Sequence, residues 1–271
     1  MSLQRIFKYA LIICVVLIVP ADAAVENDIT AITKPSADVT LSFVQAGQIA
    51  RINFREGDSV KVGDVLVQQD DSVERARLAQ LEAESEDQTQ IQASEAKLDQ
   101  ARVDLERRQN NPKAVTSSEL EYAKLNLRIA ELSLRLAVFQ NKQAQRKYEE
   151  ARLQIDRMSL KSPIDGRIEK IDIETGESVN ALDDVVQVVR VDPLWIDVPV
   201  PLDQTTNLRY GNPAKVQFRD DPKTTVDGTV IFIAAVADAG SDTLRVKIQI
   251  PNKSNRPAGE HVIVTFPHLN Q

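Results

Sequence analysis

Apolar and polar residues alternate at a period of two from residue 39 to 69, recur near every three and a half residues from 72 to 158, and alternate again from 159 to 191. Side chains of a strand point alternately to opposite faces, whereas those of a helix return to one face every 3.6 residues. The pattern therefore predicts strands, then helices, then strands. The two β stretches that flank the helices are copies of each other. Residues 47–68 read GQIARINFREGDSVKVGDVLVQ and residues 166–188 read GRIEKIDIETGESVNALDDVVQV. At an offset of 119 residues, Gly47 falls on Gly166, Ile49 on Ile168, Ile52 on Ile171, Gly57 on Gly176, Asp58 on Glu177 and Val60 on Val179. Past Asp64 and Asp183 the offset is expected to slip by one, setting Val65 and Leu66 against Val185 and Val186.

Each copy predicts two short strands joined by a turn. At the turns, Gly57 and Gly176 allow the positive φ that a tight reversal needs, and Asp58 and Glu177 accept backbone hydrogen bonds. A single copy cannot bury its one apolar face, so the two are expected to close on each other as a sandwich. The residues between them must then leave and return at one point.

From Ser72 no glycine or proline interrupts the helical period until Pro112, which predicts a first limb of roughly 39 residues and an arm of ~58 Å at 1.5 Å per residue. Apolar positions mark it at Leu78, Leu81, Ile91, Leu98, Ala101 and Leu105, with a polar middle around Asp87 and Gln88 where the register is open. Asn110, Asn111 and Pro112 end this limb. Thr116 with Glu119 forms a capping box that starts the return limb. There Leu120, Leu127, Leu134, Asn141, Tyr148 and Ile155 recur every seven residues, interleaved with Ala123, Ala130, Ala137, Ala144, Ala151 and Met158. A large residue at one position and alanine at the other is a coiled-coil seam that lets the partner helix come close. The expected element is one antiparallel hairpin.

Upstream, residues 25–35 alternate weakly and stop at Lys34-Pro35, a connecting strand, and Val39, Leu41 and Phe43 feed the first half-motif. After residue 191 come alternating runs at 195–200, 216–218, 230–233, 244–250 and 262–266, with turn signals that include Asp227-Gly228 and Gly240-Ser241-Asp242. This spacing predicts a small antiparallel barrel. Pro199 and Pro201 should end the first of its strands or keep it at an edge.

The first residues carry Arg5 and Lys8, an apolar run of about eleven residues and the small-residue series before Ala24. They predict a secretory signal peptide over residues 1–23, cut after Ala23. The run is short of the ~20 residues of a bilayer span, so an uncleaved anchor is the minor reading. Cys14 lies inside it, and the mature chain then has neither disulfides nor thiolate ligands. A net charge of −7, with no concentration of lysine and arginine, argues against nucleic acid. The carboxylate pairs Asp70-Asp71, Asp183-Asp184 and Asp220-Asp221 fall at predicted turns and read as solvated turn residues, not as acid-base machinery. His261 and His268, one in a strand and one in the tail, have no ligand-spaced partners. No nucleophile motif or phosphate loop occurs, and no lysine sits at the turn where a swinging-arm carrier would be modified. The reading is no catalytic residue, no metal, no cofactor and no enzyme.

This arrangement resembles the HlyD-type membrane fusion proteins, the periplasmic adaptors of tripartite efflux and secretion systems. The residues that carry the likeness are Gly47, Glu56-Gly57-Asp58, Val60, Gly63-Asp64 and Leu66, then Ser162-Pro163, Asp165-Gly166 and Gly176-Glu177. In the barrel they are Asp192-Pro193-Leu194, Asp242-Thr243 and Pro257-Ala258-Gly259. The resemblance implies an α+β elongated fold: a split lipoyl-like β-sandwich with an inserted α-helical coiled-coil hairpin, followed by a small barrel. The domains expected are 1–23 signal peptide, 24–38 connecting strand, 39–71 and 159–190 the two half-motifs, 72–158 the hairpin, 191–267 the barrel and 268–271 a tail.

By the same resemblance, the chain would sit in the periplasm at the inner membrane as a homo-oligomer. It would link an inner-membrane transporter, an RND pump ahead of an ABC exporter, to an outer-membrane channel. The family's resistance-nodulation-division (RND) adaptors usually carry a membrane-proximal domain after the barrel, so docking here is expected to rest on the barrel and the N-terminal strand. Their hairpin tip often shows an arginine, a leucine four residues on and a serine seven beyond. Here Arg107 leads to Asn111 and Ser118, or else Val115 and Thr116 take the last two places. Arg107, Arg108, Lys113, Val115, Thr116 and Ser118 at the tip are either a partner contact or a solvated cap. The alternative function is a stand-alone periplasmic scaffold that holds a client with the hairpin.

Overall fold

The protein is described from a computed structural model over residues 28–111 and 113–267. The expected signal peptide and His268 lie outside the described residues. The chain divides into two compact units, residues 35–191 and residues 192–271 together with 1–34. Two long strands, β1 (Ile29–Ser42) and β8 (Asp184–Pro201), contribute residues to both. The weak alternation before Pro35 and the clean one after it belong to the single strand β1, not to two elements. Proline's φ is compatible with an extended backbone, so the strand runs through Pro35 without a break.

In the first unit, β2 (Gly47–Ile52), β3 (Ser59–Val60) and β4 (Val65–Gln69) come from the first copy. Strands β5 (Ser159–Lys161), β6 (Gly166–Ile171), β7 (Ser178–Val179) and the start of β8 come from the second. The copies interlock. Gly47 pairs with Val179 and Val60 pairs with Gly166, one relationship repeated with the copies exchanged. Ile49 N–H donates to the Glu177 carbonyl at 2.8 Å and Ile168 N–H to the Asp58 carbonyl at 2.9 Å. Phe43, Ile49, Val60, Leu66, Val67, Ile168, Val179, Val185, Val186 and Val188 fill the space between the sheets. Each contributes about 1.5–3 kcal/mol by leaving water. Neither copy could bury this face alone.

The expected slip of the repeat does not occur. Leu66 corresponds to Val185 and Val67 to Val186, still 119 apart: Asn53 N–H donates to the Leu66 carbonyl at 2.9 Å as Asp172 N–H does to that of Val185 at 3.0 Å. Both copies carry the same register shift, between Ile49 and Arg51 against β4 and between Ile168 and Lys170 against β8. Matching Val65-Leu66 to Val185-Val186 by hydrophobicity hid this, because the place of half-buried Val65 is taken in the second copy by exposed Asp184.

Between the copies lie α1 (Ser72–Glu86), α2 (Thr89–Gln109) and α3 (Ser117–Arg157). The helices leave the sandwich and return to it at one place, where Gln69 N–H donates to the Met158 carbonyl at 2.9 Å. The outgoing limb is not one helix. Asp87 is extended (φ −69°, ψ 112°), and its carboxylate accepts from Thr89 N–H at 2.8 Å to restart the helix. The polar middle, which lacks an apolar residue to hold it against α3, is where the backbone breaks. In α3, Ala123, Ala130 and Ala137 are buried at seven-residue spacing.

In the second unit, β9 (Pro213–Phe218), β10 (Asp221–Ile233), β11 (Thr243–Ile250) and β12 (His261–Thr265) join the ends of β1 and β8. The order β1-β12-β9-β10-β11-β8 returns on itself because β1 also pairs β8, giving a barrel. Alternate residues Leu194, Ile196, Val198 and Val200 point inward against Val216, Val230, Val246, Ile248 and Val264. β8 passes through Pro199 and ends at Pro201. The expected turn at Asp227-Gly228 lies instead inside β10. Gly228 is there for close approach, since a Cβ on it would stand 2.7 Å from a methyl of Ile248.

Candidate functional site

The tip of the hairpin is set by local capping. Asn110 N–H donates to the carbonyls of Arg108 and Glu106 and closes α2. Residues 113–115 turn, and Thr116 opens α3 through a complete capping box: its Oγ1 accepts from Glu119 N–H at 3.3 Å, and its own N–H donates to Glu119 Oε2 at 2.8 Å. The bond from Thr116 N–H and a second from the Thr116 hydroxyl to Glu119 Oε2 at 2.8 Å, with Arg108 close by, hold the Glu119 carboxyl below its usual pKa. Arg108 Nε donates to Asp104 at 2.9 Å on its own helix.

Of the six tip residues singled out in the sequence, Lys113, Thr116 and Ser118 are exposed in or beside the turn, and Val115 is half buried. Arg107 lies apart from them. It lines a groove on the outer side of α2 with Asp99, Gln100, Val103 and Asp104.

At the repeat turns, Gly57 and Gly176 have φ of 88° and 89°. Asp58 accepts from Arg55 N–H at 2.8 Å, and Glu177 from Glu174 N–H at 2.8 Å. A second pair of turns follows, and here the copies differ: Gly63 has φ 90°, and its counterpart Leu182 takes φ 67°.

The carboxylate pairs do not behave alike. Asp183 accepts from Asn180 N–H at 2.9 Å in a turn, and Asp220 bonds Arg256. Asp71 departs from the expectation of a solvated turn residue: it is buried at the start of α1, accepts from Arg75 Nε at 2.7 Å and from Gln68 at 2.8 Å, and has a lowered pKa. The Arg75 bond is the main cause. The cation four residues on, in the first turn of α1, is the sequence signal that marked this pair. Among the described residues no group of three or more His, Cys, Asp or Glu side chains could hold a metal ion. No described helix is long and apolar enough to cross a membrane.

The feature that sequence reasoning missed is a second apolar row on α3. Tyr122, Leu125, Ile129, Leu132, Leu136 and Phe139 are 46–66% exposed. Their alternating spacing of three and four was the available signal, out of phase with the seam that was noticed.

Residues 37–190 match the family described as RND MFP, barrel-sandwich hybrid domain, and residues 193–259 match the CusB-like, beta-barrel domain. The chain is 29% identical over 215 residues to the multidrug export protein EmrA of Haemophilus influenzae, which covers 66% of this chain and 55% of that protein. It is 28% identical over 217 residues to the multidrug resistance protein MdtA of Escherichia fergusonii, covering 77% and 50%. The chain thus spans about half the length of the curated relatives it matches. The crystal structure of MacA from Actinobacillus actinomycetemcomitans superposes with a TM-score of 0.76 at 18% identity, over 88% of this chain and 77% of that one, a likeness of fold. With more than half of its residues inside the barrel-sandwich match, the chain belongs to the membrane fusion protein family of the RND type.

Proposed function

We propose that this chain is a periplasmic adaptor that links an inner-membrane transporter to an outer-membrane channel for efflux across the cell envelope. The observation that carries the reading is the hairpin inserted between two interlocked half-motifs and closed at its base by the Gln69 to Met158 bond. A rigid root of this kind lets a long arm hold a fixed direction, which a linker between two membrane machines requires. Support also comes from the names of the relatives EmrA and MdtA, which are multidrug export and resistance proteins. The RND family match favours an RND pump over an ABC exporter.

In this reading the hairpin is an antiparallel coiled coil, for which the buried alanines of α3 speak, and Arg107, Arg108, Lys113, Val115, Thr116 and Ser118 contact the channel. Several copies assemble side by side. Residues 39–71 and 159–190 form the sandwich domain, 72–158 the hairpin and 191–267 the barrel, while residues 1–23 direct export. The adaptor performs no covalent chemistry; its work is to seal and couple its partners.

Cells lacking the chain should accumulate toxic compounds that wild-type cells exclude, and resupplying it should reverse this. Unchanged accumulation across a chemically varied panel would count against the proposal.

A further inference from the structure

In the second unit, Lys34 on β1, Asp197 and Pro199 on β8, Thr243 and Arg245 on β11 and the turn leading into β11 line one cavity of about 380 Å³. That is the size of a small-molecule site. It lies on the outer side of the barrel. Val198 and Val246 are buried in the core, so their neighbours Asp197, Pro199 and Arg245 face the other way, with Arg245 directly across the ladder from Pro199.

The lining has donors to spare. Asp197 Oδ2 accepts from Lys34 Nζ at 2.9 Å, and its Oδ1 is closed off from solvent, so this carboxylate is matched by the ammonium beside it. Lys34 gives one proton to that bond and keeps the others. Asp238 is tied to its own turn, its Oδ1 accepting from Gly240 N–H at 2.8 Å and Ser241 N–H at 3.2 Å. The hydroxyls of Ser241 and Thr243 share a hydrogen bond of 2.8 Å, which leaves one O–H proton to give. Arg245 is the group left over. Its guanidinium lies 5.6 Å from the centre of the Phe232 ring and, among the described residues, has no hydrogen-bond or ion-pair partner. A ring attracts the charge through its face but accepts none of the N–H groups in the manner of an oxygen.

These donors reach the cavity from three separate elements, β1, β11 and the turn before it. A tetrahedral oxyanion offers oxygens in as many directions, whereas a carboxylate offers two in one plane. Arginine binds such groups through paired N–H bonds. Pro199 and Val236, the latter 82% exposed, give the cavity an apolar wall for the stem of the ligand.

We infer that this cavity binds the phosphate group of a small phosphorylated molecule or of a lipid headgroup, with Arg245 as its main anchor and Lys34 and the hydroxyl pair completing the cradle. The inference uses neither the hairpin nor the sandwich and is independent of the adaptor reading.

The test is calorimetric titration of the full chain, purified in a non-ionic detergent, with inorganic phosphate, glycerol 3-phosphate and dihexanoyl phosphatidic acid. Saturable one-to-one binding of at least one of them is expected. Arg245→Gln should weaken it at least about tenfold. Lys247 lies over the Trp195 ring outside the cavity, and Lys247→Gln should leave the affinity as it was. Both variants should melt like the wild type, since each changes an outward side chain. Tighter binding of the short-chain lipid than of the other two would assign the site to a headgroup, and equal or weaker binding would assign it to a free phosphate compound. Binding of none of the three, or binding that survives Arg245→Gln, would overturn the inference. Equal losses from Arg245→Gln and Lys247→Gln would overturn it as well, because they would mark attraction to surface charge instead of a site.

Discussion

Asn141 on α3 donates its side-chain amide to the carbonyl of Asp87 at 3.1 Å, and to that of Ser85 at 3.0 Å. The break between α1 and α2 strands main-chain acceptors that an unbroken helix would satisfy, and Asn141 stands opposite them, at the heptad position that Leu120, Leu127 and Leu134 occupy nearer the tip. The asparagine interrupts an apolar row in order to serve the break. Asn141→Ala should cost about 1–2 kcal/mol. Thermal unfolding checks this, with a fall of roughly 2–8 °C expected, and an unchanged midpoint would show that water serves these carbonyls equally well.

Leu182 holds φ 67° where the first copy of the repeat has Gly63 at φ 90°. The left-handed conformation costs a residue with a Cβ roughly 1–2 kcal/mol, and the side chain, 73% exposed, recovers little by packing. Leu182→Gly should therefore stabilise the protein by up to about 1 kcal/mol, after allowance for the extra freedom of glycine in the unfolded chain. Gly63→Leu should do the reverse. Denaturant midpoints of the two variants, shifted in opposite directions, are the check.

The periods of two and three and a half made the sandwich, the hairpin and the barrel legible, because burial of one face per element leaves a regular trace in sequence. Where a local event broke the period, the trace failed. Asp87 ends α1 with neither glycine nor proline, and only its partner Asn141, 54 residues away, explains why the break is tolerated. Gly228 looked like a turn because Asp-Gly commonly is one, and its reason, the methyl of Ile248 on the neighbouring strand, is a tertiary contact. The outer strip of α3 escaped notice because one heptad seam had already accounted for that helix.

Gly228→Val places two methyl groups and a Cβ against Ile248 and Ile250. Overpacking of this kind costs about 1–3 kcal/mol. The loss should appear in the barrel, so amide exchange should quicken in β10 and β11 while the sandwich strands keep their protection.

Asp71 adds a dependence on pH. Its folded pKa is depressed, mainly by the Arg75 hydrogen bond with help from Gln68 and against the effect of burial. A carboxyl depressed in this way contributes stability above its unfolded pKa of about 4 and loses it as pH falls through the folded value. Asp71→Asn should therefore lose about 1–2 kcal/mol at pH 7, and the gap to the wild type should narrow as pH falls below the unfolded value and close once the pH is below the depressed folded one. Urea unfolding across this range measures it; a gap independent of pH would assign the loss to shape instead of charge.

Purification of the tagged full chain from gently solubilised envelopes, with mass-spectrometric identification of what comes with it, tests the adaptor reading most directly. The account predicts an inner-membrane transporter and an outer-membrane channel in the same eluate, with the channel lost when Arg107, Arg108 and Lys113 are all changed to glutamate and the transporter kept. Recovery of soluble proteins alone, with neither membrane partner, would contradict it.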